Sequence, residues 1–285
     1  MRDAPGLQAI RHPGPASAER ASVVACRAHP VTVTLRAGQS FGDALADGFA
    51  ALGFSAGYLR LEAVPMRRLC FVQPAPAPGD GHAAWYSATV TLGAGAVIRT
   101  GGVHLGLRDG QPFTHCHGIW AGPDGVGRMG HLLPQDSIVG ADCAVAGWGI
   151  SGARLEVAED PETRFALFRP RADGDPRSGG GRALLCSLRP NQDLGQATAA
   201  LAARHDMGSA RIEGIGSLVG TQFADGPMLE SYATEMLVTE GRVTGAGARI
   251  SAASVGFDGR FAQGRLAAGR NAVCVTVELL LIGDR

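Results

Sequence analysis

The sequence predicts an α+β protein built from two tandem copies of one unit. Three observations predict it. The chain repeats itself. Each copy opens with one helical pattern followed by short strand-like runs. Both copies carry an Asp-Gly turn at the same place near their ends.

Residues 1–21 read as an N-terminal tail containing Pro and Ala, partly ordered by docking. The first copy spans 22–170. Its segment 35–54 (LRAGQSFGDALADGFAALGF) matches 188–207 (LRPNQDLGQATAALAARHDM) in Leu-Arg, then Gln at the fifth and Gly at the eighth position. Phe41, Ala44, Leu45, Phe49 and Leu52 recur at helical spacing, which predicts an apolar face. Ser40 with Asp43, and Asp193 with Gln196, are matching capping signals. A Gly-rich, β-prone stretch follows each helix: GYLRLEAVPMRRLCFVQ in the first copy and GSARIEGIGSLVGTQF in the second. Residues 89–107 and 232–255 then run in short apolar or alternating segments, as strands do.

Near the ends, 117–131 (HGIWAGPDGVGRMGH) aligns with 251–265 (SAASVGFDGRFAQGR). The offset between copies falls from 153 to 134, so the first copy is 19 residues longer in between, with the extra length expected in 74–112. Residues 171–182 (RADGDPRSGGGR) are polar and Gly-rich and read as a linker. The second copy is then 183–285.

Composition excludes several chemistries. All 26 basic side chains are Arg, set against 26 acidic ones. Without Lys there is no Schiff-base lysine and no P-loop lysine. Each half is near charge balance, so neither has the basic excess that drives strong nucleic-acid binding by counterion release. Six scattered Cys form no CxxC pair, which speaks against a zinc ribbon. The N-terminus lacks an apolar signal core, and no apolar run reaches membrane-spanning length. These features predict a soluble, reduced, cytoplasmic protein.

One constellation carries chemistry. Three of the eight His fall in PFTHCHGIWAGPDGVGRMGHLL. On a strand, His115 and His117 share one face and Cys116 takes the other. A hairpin centred on Asp124 pairs residues whose numbers sum to 248, which sets His131 opposite His117 with Cβ atoms roughly 5 Å apart. Three imidazoles with an open fourth position are the ligand set of a catalytic-type metal site, with zinc the expected divalent ion. Iron, nickel and copper also accept imidazole. The alternative is three polar strand residues without an ion.

The second copy serves as a control. Its turn at Asp258 sets Ser251 opposite Arg265, and its matching positions are Arg249, Ser251 and Arg265. The unit therefore does not need the three His in order to fold. Arg249 and Arg265 are candidates for holding a carboxylate or phosphate. His104 is a further candidate beside a ligand, weighed against a plain surface strand His. His82, beside Trp85 and Tyr86, reads as loop. His12, His29 and His205 have no partners in sequence and default to solvated positions. No GxSxG elbow and no strand–GxGxxG–helix context occurs, so a hydrolase triad and a dinucleotide site lack support.

The HxH strand, the Asp-Gly turn, Gly-His-Leu, the apolar DSIVGADCAVAGWGI and the following Leu-Glu-Val together resemble the PPC domain. That domain is conserved in plants and prokaryotes and is often called DNA-binding. RIEGIGSLVG and the closing VCVTVELLLI resemble a degenerate second copy. The resemblance covers most of both halves. It implies a strongly bent, mainly antiparallel sheet with a flanking helix in each copy, assembly into homotrimers, and a bacterial-type metal site at His115, His117 and His131. The Arg-Gly-Arg-Pro core by which plant members bind the minor groove is absent. The expected function is therefore a metal-binding protein that acts on or senses a small anionic ligand. The competing expectation is a DNA-binding or regulatory oligomeric scaffold.

Overall fold

A computed structural model describes residues 8–284. The first half holds β1 (Ala21–Leu35), α1 (Phe41–Ala51), β2 (Gly57–Val72), the short β3 (Pro74–Ala75), β4 (Trp85–Tyr86) and β5 (Val90–Leu92), and then β6 (Ala96–Arg108), β7 (Gln111–Ala121), β8 (Gly127–Leu132), β9 (Ile138–Val139), β10 (Cys143–Glu159) and β11 (Ala166–Asp173). The second half holds β12 (Gly181–Leu188), α2 (Leu194–Arg204), β13 (Ala210–Leu218), β14 (Thr221–Gln222), β15 (Met228–Leu229), β16 (Thr234–Thr244), β17 (Gly247–Val255), β18 (Phe261–Arg265) and β19 (Val273–Gly283).

The repeat seen in sequence is a repeat in space. The first half pairs its strands in the order β1-β10-β2-β6-β7-β8, and the second in the order β12-β19-β13-β16-β17-β18. All of these pairings are antiparallel. The two sheets join where β1 pairs antiparallel with β12, from Ala21↔Leu188 to Ala28↔Gly181. The fold is α+β, in two copies.

Each helix forms where the capping signals predict. The Ser40 side chain accepts from the Asp43 amide, and the Asp193 side chain from the Gln196 amide. Phe41, Ala44, Leu45 and Phe49 are buried against one face of the first sheet, in a core that includes Leu59, Leu61 and Trp120. Leu52 departs from the expected stripe. It caps the helix C-terminus and is 42% exposed. Leu194 and Leu201 cover the matching face of the second sheet, with Ile212, Ala252 and Leu279.

The other two faces pack on each other. Ile119 and Met129 of the first half meet Ile215, Leu237, Ala253 and Val255 of the second. Tyr58 and Leu155 meet Leu185 and Leu280. At equivalent positions of the two copies, Arg60 on β2 and Glu213 on β13 form an ion pair at 2.8 Å, with Glu213 fully buried.

The extra length of the first half falls in two places. One is the strap from residue 73 to 95 between β2 and β6, which carries β3 to β5. The other is the β6–β7 hairpin, which runs further beyond His104↔His115 than β16–β17 runs beyond Arg242↔Arg249. Part of the expected linker is strand: residues 171–173 lie in β11 on β10, and 181–182 open β12. The tail from residue 8 docks between the halves. His12 Nε2 donates to the Cys274 carbonyl (2.8 Å) and the ring is buried, so the expectation of a solvated His12 is corrected. Among the described residues, no helix is long and apolar enough to cross a membrane.

Candidate metal centre

Strand alternation and one hairpin register position the three imidazoles. β7 turns Cys116 into the core under α1 and turns His115 and His117 toward the second half. The turn after β7 is tight, with the Gly125 amide donating to the Gly122 carbonyl and Gly125 at φ +71°. A left-handed residue there suits glycine, which has no Cβ to clash. The register is the one the sequence implies: His117 pairs with His131, and Ala121 with Gly127. In the second half Ser251 pairs with Arg265, also as expected.

The ring centroids are 4.7 Å apart for His115–His117, 4.9 Å for His115–His131 and 5.3 Å for His117–His131. One nitrogen from each ring lies within 4.8 Å of the others. His115 Nε2 is 3.1 Å from His117 Nε2.

The second half orients two of the rings. His115 Nδ1 donates to Glu278 Oε2 on β19 at 2.7 Å. His117 Nδ1 donates to the Met236 carbonyl on β16 at 3.0 Å. Each bond fixes a tautomer and leaves Nε2 with its lone pair toward the cluster. His131 has no hydrogen bond among the described residues, and its ring meets that of Tyr86 edge-on at 5.5 Å. Burial, together with the neighbouring His115, pushes the His131 imidazole down to about 3. Burial, then His115 and His131, push His117 well below its ordinary value. Both are therefore neutral, the form that ligates. Glu278 is fully buried; burial raises its carboxyl, but His115, His104 and Arg169 together hold it below its ordinary value.

The unpartnered His131 imidazole and a 3.1 Å separation between the Nε2 atoms of His115 and His117 fit a metal ion. Tetrahedral ligands about 2.0–2.1 Å from zinc lie about 3.3 Å from one another. His131, held by no hydrogen bond, is the ring that can turn to complete the set.

His104 is not a surface residue, and that expectation is corrected. It pairs across the strands with both Tyr58 and His115, is fully buried, and packs edge-on to the Tyr58 ring at 4.8 Å. Burial pushes its imidazole down to about 4, against the opposing pull of Glu278. The close packing behind His117 needs Gly102, its cross-strand partner, where a Cβ would stand 2.1 Å from the Tyr58 hydroxyl.

Arg249 and Arg265 do not join the cluster. They lie exposed along a separate cleft of about 580 Å³, with Arg242. Arg242 pairs with Asp284 at 2.6 Å and Arg265 with Asp225 at 3.1 Å.

Sequence reasoning missed Glu278 and the Met236 carbonyl, which lie far along the chain from the rings they hold. A signal existed. Glu278 is the one charged residue inside the apolar run VCVTVELLLI, and a buried charge must be paired.

No family model and no curated protein matches this chain. Among solved structures, it is similar to a metal-containing protein of Archaeoglobus fulgidus, with 21% identity over 50% of this chain and 94% of that one and a TM-score of 0.39. It is similar to a plant- and prokaryote-conserved (PPC) protein of Pyrococcus horikoshii, with 13% identity over 50% and 94% and a TM-score of 0.38. A hypothetical protein of Salmonella matches at 16% identity over 52% and 96%, with a TM-score of 0.37.

Proposed function

We propose that the protein binds one divalent metal ion, zinc foremost, through His115, His117 and His131, and handles a small anionic ligand there. One observation carries this reading: three imidazoles converge, two of them with Nδ1 tied so that Nε2 is left for a ligand bond. Three protein ligands leave a coordination position open, as catalytic sites do and closed structural sites do not. When bound, the ion would supply Lewis acidity toward an oxygen ligand. The chain's own contribution is orientation. Glu278 and the Met236 carbonyl hold the first two rings, and the inter-half core keeps bulk water away from them.

Elemental analysis of protein purified without chelator or a nickel column tests the reading. One metal per chain is expected, lost in the His115→Ala, His117→Ala double variant. Metal-free wild-type protein, or stoichiometric metal in the double variant, would overturn it.

A second reading concerns Arg249 and Arg265. They line the cleft at the positions matching His115 and His131, and Arg249 has no ion pair among the described residues. We propose this cleft as a weak phosphate or carboxylate site. Inorganic phosphate binding that survives Arg249→Ala unchanged would refute it.

A further inference from the structure

A small cavity of about 70 Å³ opens beside the imidazole cluster. His115 and His117 form one end. Trp85, Tyr86 and Phe165 form an aromatic wall, the first two from the strap between β2 and β6. The second half supplies Glu235 from β16 and Thr276 from β19.

Those last two side chains are anomalous. Glu235 is 5% exposed and Thr276 is 4% exposed, yet Glu235 Oε2 and Thr276 Oγ1 have no hydrogen-bond partner among the described residues. Leaving such an atom unpaired in an interior costs the desolvation of a polar group, and native interiors leave few. Two in one small cavity, beside a cluster of imidazoles, mark a place where the partner comes from outside the chain.

We propose that this cavity is a binding subsite for a short-chain monocarboxylate of two to four carbons, with Glu235 and Thr276 as hydrogen-bond donors to its oxygens and the aromatic wall against its alkyl end. The inference rests on the metal reading, because the ion at the three His would take the ligand's other oxygen contact. Size sets the upper limit. An apolar cavity of about 150 Å³ accepts benzene, so one of half that volume admits a molecule of acetate or propionate size and excludes an aromatic acid. Donor chemistry sets the class. Thr276 offers O–H. Glu235 makes no ion pair with an Arg among the described residues, and in the metal-free chain burial raises its carboxyl well above the ordinary value, so it too offers O–H. A neutral alcohol could use these groups as well, but an anionic oxygen is the better acceptor for two donors and a Lewis acid.

The test is a ligand-observed NMR titration of acetate and of benzoate against metal-loaded and metal-free protein. The variants are Glu235→Gln, Glu235→Ala and Thr276→Val, each checked for folding by thermal melt. Acetate should bind the loaded wild type and benzoate should not. Glu235→Gln keeps a donor and should retain affinity. Glu235→Ala and Thr276→Val should each weaken acetate about tenfold, the value of one charge-assisted hydrogen bond. A folded Glu235→Ala that binds acetate like the wild type overturns the subsite and leaves the metal reading standing. Failure of wild-type protein to load metal sinks the metal reading instead. In that case acetate binding to metal-free protein, sensitive or insensitive to Glu235→Ala, still decides the subsite. Benzoate bound as tightly as acetate overturns the size argument.

Discussion

The two halves share a strand order and a hairpin register, and differ most where His104, His115 and His131 of the first half stand against Arg242, Arg249 and Arg265 of the second. In the first half these positions are covered by the partner half and hold imidazole rings. In the second they overhang into an open cleft and hold permanent cations. The lesson is that a sheet face becomes a ligand site through what is packed over it. Glu278, Met236, Glu235 and Thr276 all reach the first half's face from the second. The longer β6–β7 hairpin and the longer strap flank the first site; the second half has a shorter β16–β17 hairpin and a shorter β13–β16 connection.

The largest expected effect separates the two faces outright. Replacing His115 and His117 by Ala should abolish metal binding. Replacing Arg249 and Arg265 by Ala should leave the metal content unchanged by elemental analysis. Next is the contact between the halves. Arg60→Ala strands the Glu213 carboxylate in the interior and should cost about 3–5 kcal/mol, read by denaturant unfolding. A cost under about 1 kcal/mol would show that the halves are not coupled through this pair.

Glu278→Gln sharpens the claim that the second half tunes the first. Loss of a carboxylate behind a ligating His typically lowers metal affinity about 10–100-fold, measurable by competition with a chelator of known affinity.

The pH response should belong to the first half. The His104 imidazole is held at about 4 in the folded protein, against an ordinary value near 6.5. The unfolded chain therefore binds a proton that the folded chain refuses. Stability falls as pH drops from about 6.5 toward 4, by about 2 kcal/mol at pH 5 for this one ring. Denaturant unfolding of metal-free protein at pH 7 and pH 5 checks the sign, and His104→Phe should flatten the slope.

The smallest effect compares the two helix starts. Ser40→Ala should cost about 1 kcal/mol. Asp193→Ala should cost more, since its side chain also accepts from the Asn271 amide and is buried.

What could be read in advance followed from short-range rules. Alternation along β7 and a tight turn at Asp124 were enough to bring His117 against His131, because a hairpin register follows from its turn. The capping residues Ser40 and Asp193 were legible for the same reason. Glu278 was not legible, since it lies 163 residues from His115 and reaches it only when the halves pack face to face. His104 was misread as a surface residue because alternation gives the face but not what covers it. Leu52 satisfied helical spacing but fell on the last turn, where the sheet no longer covers the helix.

The Arg60–Glu213 pair has a consequence for how such a molecule can arise. The two residues hold the same position in the two copies, so each copy meets its counterpart there. Two identical chains associating through this face would set like against like, Arg opposite Arg or Glu opposite Glu. Joining the copies in one polypeptide lifts the demand that a residue be its own complement. Each copy was then free to diverge, one toward opposing charge and supporting carboxylates and the other toward the cluster they support. The covalent tandem is thus what allows an asymmetric centre to sit on a symmetric scaffold, and it forbids the first half from substituting a second copy of itself for its partner.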